Sequence, residues 1–179
     1  MSALPGAAAL AAGEVRETAR LQLRLFGERD LESLAAMYAD AETMRHIGEG
    51  RTLTRDETWR AIAGMLGHWA LRGFGMWALE LKSTGELVGR AGFIDPEGWP
   101  GFELGWLVAR PHWGKGYATE AASFALDHAL SSMGRRRVIS LVRPGNERSS
   151  RVAEKLGMRV EGSIELLGGP VTVHARVVD

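Results

Sequence analysis

Apolar and polar residues alternate along ARLQLRLF (19–26), a period of two that predicts a strand with one apolar face. The period then lengthens. Leu31, Leu34, Ala35 and Tyr38 recur at helical spacing, with Asp30 standing where an N-cap belongs. The stretch AETMRHIGEGRTL (41–53) keeps no period and carries two glycines, which predicts a loop. A second helix opens at TRDE (54–57), where the Thr54 hydroxyl and the Glu57 carboxylate suit a capping box, and Trp59, Ile62, Leu66 and Trp69 follow on one face.

Three strands come next. FGMWALELK (74–82) and ELVGRAGFI (86–94) flank the turn signal STG and predict an antiparallel hairpin. GFELGWLVA (101–109) is the third, with Phe102, Leu104, Trp106 and Val108 on one face and Glu103, Gly105 and Leu107 on the other. A long helix is predicted over residues 117–133, stopped by Gly134. RVISLV (137–142) reads as a short buried strand. NERSSRVAEKLG (146–157) reads as a helix with Val152, Ala153 and Leu156 inward and Gly157 as its C′ residue. Residues 158–178 predict two strands around Gly168 and Gly169. The sum is one α/β domain with a mixed sheet. Residues 1–16 are rich in small residues but lack a basic n-region and are broken by Pro5, Gly6 and Gly13, so a flexible leader is expected, not a signal peptide.

Composition narrows the function classes. The chain has 179 residues, of which 45% are hydrophobic, enough for one full core. Its formal net charge is zero, which counts against direct nucleic-acid binding. No apolar run approaches a bilayer span, so no membrane role is expected, and a cytoplasmic location is. There is no cysteine, which removes thiolate metal sites and Cys-linked covalent intermediates. The five histidines show no ligand spacing, so no metal is expected.

The chemistry concentrates at ELGWLVARPHWGKGYATEA (103–121), where a strand feeds a glycine turn that opens a helix. Such a turn exposes backbone N–H groups at the positive end of a helix dipole and suits an anion. A Walker loop would need glycine where Ala109 stands and Ser or Thr where Gly116 stands; a dinucleotide fingerprint would need Gly or Ala at Thr119. Neither fits. A turn that merely makes a tight connection stays open at this point.

Together with RPGNERSSRVAEKLGM downstream and ARLQLR upstream, this segment resembles the GNAT superfamily of acetyl-CoA-dependent N-acetyltransferases, most of all its Rim-type branch (ribosomal-protein-alanine N-acetyltransferase-like), across residues 17–179. The resemblance implies a GNAT fold with a mixed, mostly antiparallel central sheet flanked by helices. It implies that the amides of His112, Trp113, Gly114, Lys115, Gly116, Tyr117 and Ala118 wrap the coenzyme A diphosphate, with Thr119 in the first helical turn. Leu107 and Val108 would lie along the pantetheine arm, and the Val108 amide, with Leu107 next, would serve the oxyanion. Asn146 would bond the cofactor or cap its helix, and Arg151 would approach a phosphate. Lys115 is either a further contact or a solvated side chain, and Glu120 suits the helix dipole.

The reaction that the resemblance implies is attack of an amine on the acetyl thioester, and with no cysteine in the chain direct transfer in a ternary complex is the expected scheme. An α-amine, with a pKa of about 7.7–8.0, is partly neutral near pH 7, so a modest base serves; a lysine, at about 10.4, needs more help. Glu103, on the cleft side and two residues from Gly105, is the candidate base, against a solvated strand glutamate. Many relatives carry a tyrosine as general acid four residues before the Gly-Met pair; here Ala153 stands there, and Ser149 is the nearest alternative if it is not simply a residue bonding the helix backbone. Arg45 and His46 are candidates for acceptor recognition. A larger acyl donor such as succinyl-CoA, a non-catalytic acyl-CoA sensor, and a homodimer through the C-terminal strands remain open.

Overall fold

The alternating segments join into a single sheet in a computed structural model that describes residues 15–178. The strands are β1 (Val15–Glu17), β2 (Leu21–Arg24), β3 (Met76–Leu81), β4 (Leu87–Ile94), β5 (Glu103–Val108), β6 (Arg137–Val142), β7 (Arg159–Leu166) and β8 (Gly169–Val177). The helices are α1 (Leu31–Ala39), α2 (Ala41–Met44), α3 (Arg55–Arg72), α4 (Tyr117–Ser131) and α5 (Glu147–Lys155). The eight strands lie in the order β1-β2-β3-β4-β5-β6-β8-β7. Every neighbouring pair is antiparallel except β5 and β6, which are parallel and share one registered pair, Glu103 with Ile139. Only there does the sheet come apart.

Burial follows the period of two. On one face α4 brings Ala121, Ala122, Ala125 and Ala129 against Trp77, Phe93, Leu104 and Val108, all in one apolar cluster. The small alanines let the helix approach the sheet closely while Trp77 and Phe93, fully buried, fill the volume between. On the other face α1 and α3 bury Leu31, Leu34, Tyr38 and Ile62 against Ala78, Leu87 and Leu107. Leu104 and Leu107 therefore belong to opposite cores, as their alternation predicts.

Local chemistry confirms some sequence expectations and corrects others. The capping box forms: the Glu57 amide donates to Thr54 Oγ1 at 3.3 Å, and the Thr54 amide donates to Glu57 Oε2 at 2.8 Å. Asp30 is no side-chain cap for α1. It is buried beneath Arg24, which donates to both of its oxygens at 2.8 and 2.7 Å, while the Gly27 amide adds a third bond at 2.8 Å. Burial pushes the Asp30 carboxyl up, but the Arg24 and Gly27 bonds and the Arg24 charge outweigh it and leave the pKa below its ordinary value. The loop expected over 41–53 begins with α2, started by Asp40, whose Oδ1 accepts from the Glu42 amide at 3.3 Å. Trp59, expected on the inner face of α3, is 51% exposed, while Ile62 and Trp69 are buried. The leader expected over residues 1–16 lies outside the described residues except for Val15 and Arg16, which belong to β1. No described helix is long and apolar enough to cross a membrane.

Candidate functional site

The separation of β5 from β6 creates the site. The Ala109 amide donates to Val88 O, which sets the parity of the β4–β5 ladder. In an antiparallel pair the peptide groups alternate in direction, so those of residues 103, 105 and 107 face β4 while those of 104, 106 and 108 face β6. Three bonds agree with that parity. Phe102 O accepts from the Ile139 amide, Leu104 O from Ser140 Oγ at 2.7 Å, and Val108 O from Trp113 Nε1 at 2.7 Å. What remains is the Trp106 peptide and the Val108 amide, facing the gap with no partner among the described residues. The Leu107 amide is directed into the ladder with β4, so of the two candidate oxyanion donors Val108 has the amide that faces the opening.

At the outer end of the gap lies a cavity of about 310 Å³, walled by the glycine turn, the start of α4 and α5. Pro111 lies in a short 3-10 turn in which His112 donates to Ala109 O and Trp113 to Arg110 O, so these two amides are already engaged. Gly114 and Gly116 then adopt φ of +75° and +83°, the left-handed region in which glycine carries no steric cost. The first amide to find a helical acceptor is that of Glu120, on Gly116 O. The amides of Gly114, Lys115, Gly116, Tyr117, Ala118 and Thr119 thus have no acceptor among the described residues. A run of unpaired N–H groups at a helix N-terminus fits a diphosphate, and an unpaired strand edge at Trp106 fits an amide-bearing arm.

Leu107, Val108, His112, Trp113, Gly114, Gly116, Tyr117, Ala118, Thr119, Asn146 and Arg151 line this outer cavity. Lys115 does not: its side chain is exposed, and its carbonyl accepts from Arg20 Nη1 at 2.8 Å. Arg20 also lies 4.6 Å from the Tyr117 ring and donates to Glu120 Oε2 at 2.7 Å. Glu120 further accepts from the Thr18 hydroxyl and the Arg20 amide, so it fastens the β1–β2 turn to α4 and holds the glycine turn from behind. Asn146 caps α5, accepting from the Ser149 amide at 3.3 Å. Arg148, which the sequence did not single out, stacks on Trp113 with 3.6 Å between guanidinium and ring centre.

An inner cavity of about 230 Å³ contains Glu103 and Ser149, and shares His46, Ile47 and Trp106 with the outer one. Glu103 is buried, and burial pushes its carboxyl up to about 7. The Trp99 indole, donating to Glu103 Oε2 at 2.7 Å, the Leu141 amide and the Arg90 charge pull the other way without overcoming burial. A carboxyl that titrates near neutrality is suited to accept a proton at pH 7 and to release it again. Trp99→Phe removes one donor from the charged form, and a hydrogen bond to a charged group is worth about 1.5–3 kcal/mol. The Glu103 carboxyl is therefore expected to titrate about one pH unit higher in this variant. An NMR titration of the Glu103 carboxyl checks this, and an unmoved midpoint would show that Trp99 does not govern its ionisation.

His46, on the wall common to both cavities, is held below its ordinary pKa by burial and by the charges of Arg45 and Arg148. Arg143 closes the far side, donating to Gly48 O at 2.8 Å and Leu167 O at 2.9 Å, which joins the loop after α2 to the β7–β8 turn. Ala153, the position at which the resemblance leads one to expect a tyrosine, is fully buried in the core. Among the described residues no group of His, Asp and Glu has the arrangement of a metal site.

The profile of the acetyltransferase (GNAT) domain family matches residues 20–159. YkkB, an uncharacterized protein of Bacillus subtilis, is 32% identical over 89% of this chain and 93% of its own length. The uncharacterized N-acetyltransferase YoaA of the same organism is 30% identical over 83% of this chain and 84% of its own. Among solved structures, an acetyltransferase from Agrobacterium tumefaciens superposes with a TM-score of 0.81 at 29% identity, covering 91% of this chain and 94% of that one. The ribosomal alpha-N-protein acetyltransferase RimL, solved with coenzyme A, reaches a TM-score of 0.77 over 93% of this chain and 99% of that one. At 20% identity that last likeness speaks for the fold alone.

Proposed function

This chain belongs to the GNAT acetyltransferases, and from that premise we propose that it moves an acetyl group from acetyl-CoA directly to a primary amine, of a small molecule or of a polypeptide N-terminus, in a ternary complex. One observation carries the reading: a buried carboxylate titrating near neutrality borders the same opening in the sheet that leads outward to six unpaired amides. Acetyl-CoA when bound supplies a thioester, whose carbonyl carbon takes the amine lone pair so that a C–N bond forms and the C–S bond breaks.

This chain's residues do the rest. The amides of 114–119 hold the diphosphate, and the Trp106 peptide, facing the gap, pairs with the pantetheine arm. Asn146 and Arg151, on the cavity wall, serve as further polar contacts. The Val108 amide donates to the carbonyl oxygen as negative charge builds there; one such donor is typically worth about 10²–10³ in rate. Glu103 takes the proton that the amine sheds, directly or through a water, and Ser149, on the inner cavity wall, relays a proton from solvent to the departing thiolate and keeps its own hydroxyl, while Glu103 releases its proton to solvent before the next turnover. Ser140 is less suited to that last step because its hydroxyl is committed to Leu104 O. A cytoplasmic location suits a substrate of that compartment.

The test is calorimetric titration with coenzyme A, followed by measurement of free thiol released from acetyl-CoA across a panel of amines. Tight binding with acceptor-dependent release is expected. Binding without release for any amine would make the protein an acyl-CoA sensor, and an absence of binding would remove the reading altogether.

A further inference from the structure

The register of β4 on β5 places Arg90 opposite Leu107, Gly92 opposite Gly105, and Ile94 opposite Glu103. Directly paired residues and those two apart along a strand share one face, so Arg90 and Glu103 lie on the same side of the sheet. Between them are two glycines facing each other, a stretch of sheet with no side chains. The next strand contributes Met76, paired with Gly92, as one border of this hollow. A Cβ built on Gly105 would approach the Met76 methyl to 3.1 Å, and one on Gly92 would reach Gly75 O at 2.3 Å, so neither glycine can be filled without displacing a neighbour. Positions 90 and 94 are about 13 Å apart along β4, and Arg90 and Glu103 line the same cavity, close enough for the Arg90 charge to act on the Glu103 carboxyl.

Arg90 is half-buried and lines the inner cavity. Among the described residues its hydrogen-bond partner is the Tyr38 hydroxyl, at 2.8 Å from Nε, and no carboxylate lies within ion-pair distance. A neutral phenol leaves most of a guanidinium's bidentate capacity unused. The other cation of the cavity, Arg143, spends its donors on carbonyls. Two arginines against one glutamate leave the cavity with an excess of positive charge, which opposes an acceptor carrying a second ammonium. Trp99, Trp106, Ile94 and Met76 supply apolar walls.

We propose that the acceptor is a free apolar amino acid, or a close analogue, whose amine is presented to Glu103 while its carboxylate pairs with Arg90 and its side chain fills the apolar wall of the inner cavity. This rests on the acetyl-transfer reading above and narrows it, because a polypeptide N-terminus has an amide where Arg90 calls for a carboxylate.

The experiment compares L-phenylalanine and L-methionine with phenethylamine, L-phenylalaninamide, the peptide Phe-Ala-Ala and spermidine, by thiol release from acetyl-CoA. In parallel, calorimetry follows the binding of the same compounds to the protein saturated with coenzyme A. The free amino acids are expected to exceed the amide and phenethylamine in kcat/KM by about 10–100-fold, the value of a hydrogen-bonded charge pair. Arg90→Gln is expected to abolish that preference and leave coenzyme A binding intact. Equal rates for phenethylamine, the amide or the peptide would overturn this inference while leaving acetyl transfer standing, as would an Arg90→Gln protein that loses all acceptors alike. Should Arg90→Gln fail to fold, the comparison on the unaltered protein decides alone. If no compound released thiol, acetyl transfer itself would fail, and calorimetry would still report whether the carboxylate governs binding.

Discussion

Glu103→Gln is expected to lower kcat by about 10²–10⁴-fold, the usual contribution of a positioned proton acceptor. It is also expected to remove from the kcat/KM profile the limb centred near pH 7, leaving the ionisation of the amine itself. The same substitution is expected to stabilise the fold above neutrality. The Glu103 carboxyl is raised from its ordinary 4.5 to about 7 by burial. Between those values the unfolded chain has released a proton that the folded one retains, so stability falls as pH rises through that window and stays low above it. The deficit at pH 8 is roughly 3 kcal/mol, and glutamine, which carries no charge, removes it. Chemical unfolding should therefore find the variant more stable than the parent at pH 8 by up to that amount and little different at pH 4.5. Unchanged turnover with an unchanged profile would take Glu103 out of the mechanism. Equal destabilisation at both pH values would mark it as an ordinary structural carboxylate. A residue that costs stability at the working pH and supports the reaction is what a base held in a buried place requires.

Much of this architecture was legible in the order of the residues. The switches between period two and helical spacing locate β2, the β3–β4 hairpin, β5, α4 and the C-terminal strands, because burial on one face imposes those periods. The glycine turn was legible for the same local reason: strand, left-handed residues and helix start are consecutive. Contacts between segments were not. The expected amide row began at His112, yet the 3-10 turn at Pro111 engages the amides of His112 and Trp113 and shifts the unpaired row to Gly114–Thr119. Whether Val108 or Leu107 turns its amide to the gap depends on the parity of the pairing with β4, which no spacing within β5 encodes. Trp99 reaches Glu103 from only four residues away, a contact that no period marks, and Arg90 comes onto the face of Glu103 only through the β4–β5 register, although it could have been marked as a charge amid the apolar run LVGRAGFI. Asp30, a plausible cap from its position, was claimed instead by Arg24, six residues away and on a different element.

Gly116→Val is expected to weaken coenzyme A binding by about 100-fold or more. Gly116 has φ +83° and Gly114 φ +75°, and residues of this handedness alternating with ordinary ones turn successive N–H groups toward a common point. A β-branched residue resists that φ, so the chain relaxes by rotating the neighbouring peptides, and at least two amides lose their aim. A Cβ at Gly116 would also press on Arg20 Nη2 at 3.3 Å, disturbing the side chain that fixes the Lys115 carbonyl and Glu120. Each hydrogen bond to a charged group is worth about 1.5–3 kcal/mol, so two lost bonds account for the predicted factor. Calorimetry with coenzyme A measures it, and pantetheine, which has the arm but no diphosphate, separates the causes. If the glycine turn holds the diphosphate, pantetheine binds parent and variant alike while coenzyme A distinguishes them. If both ligands weaken equally, the substitution has damaged the cavity as a whole. If neither changes, the diphosphate lies elsewhere and the outer cavity is not the donor site.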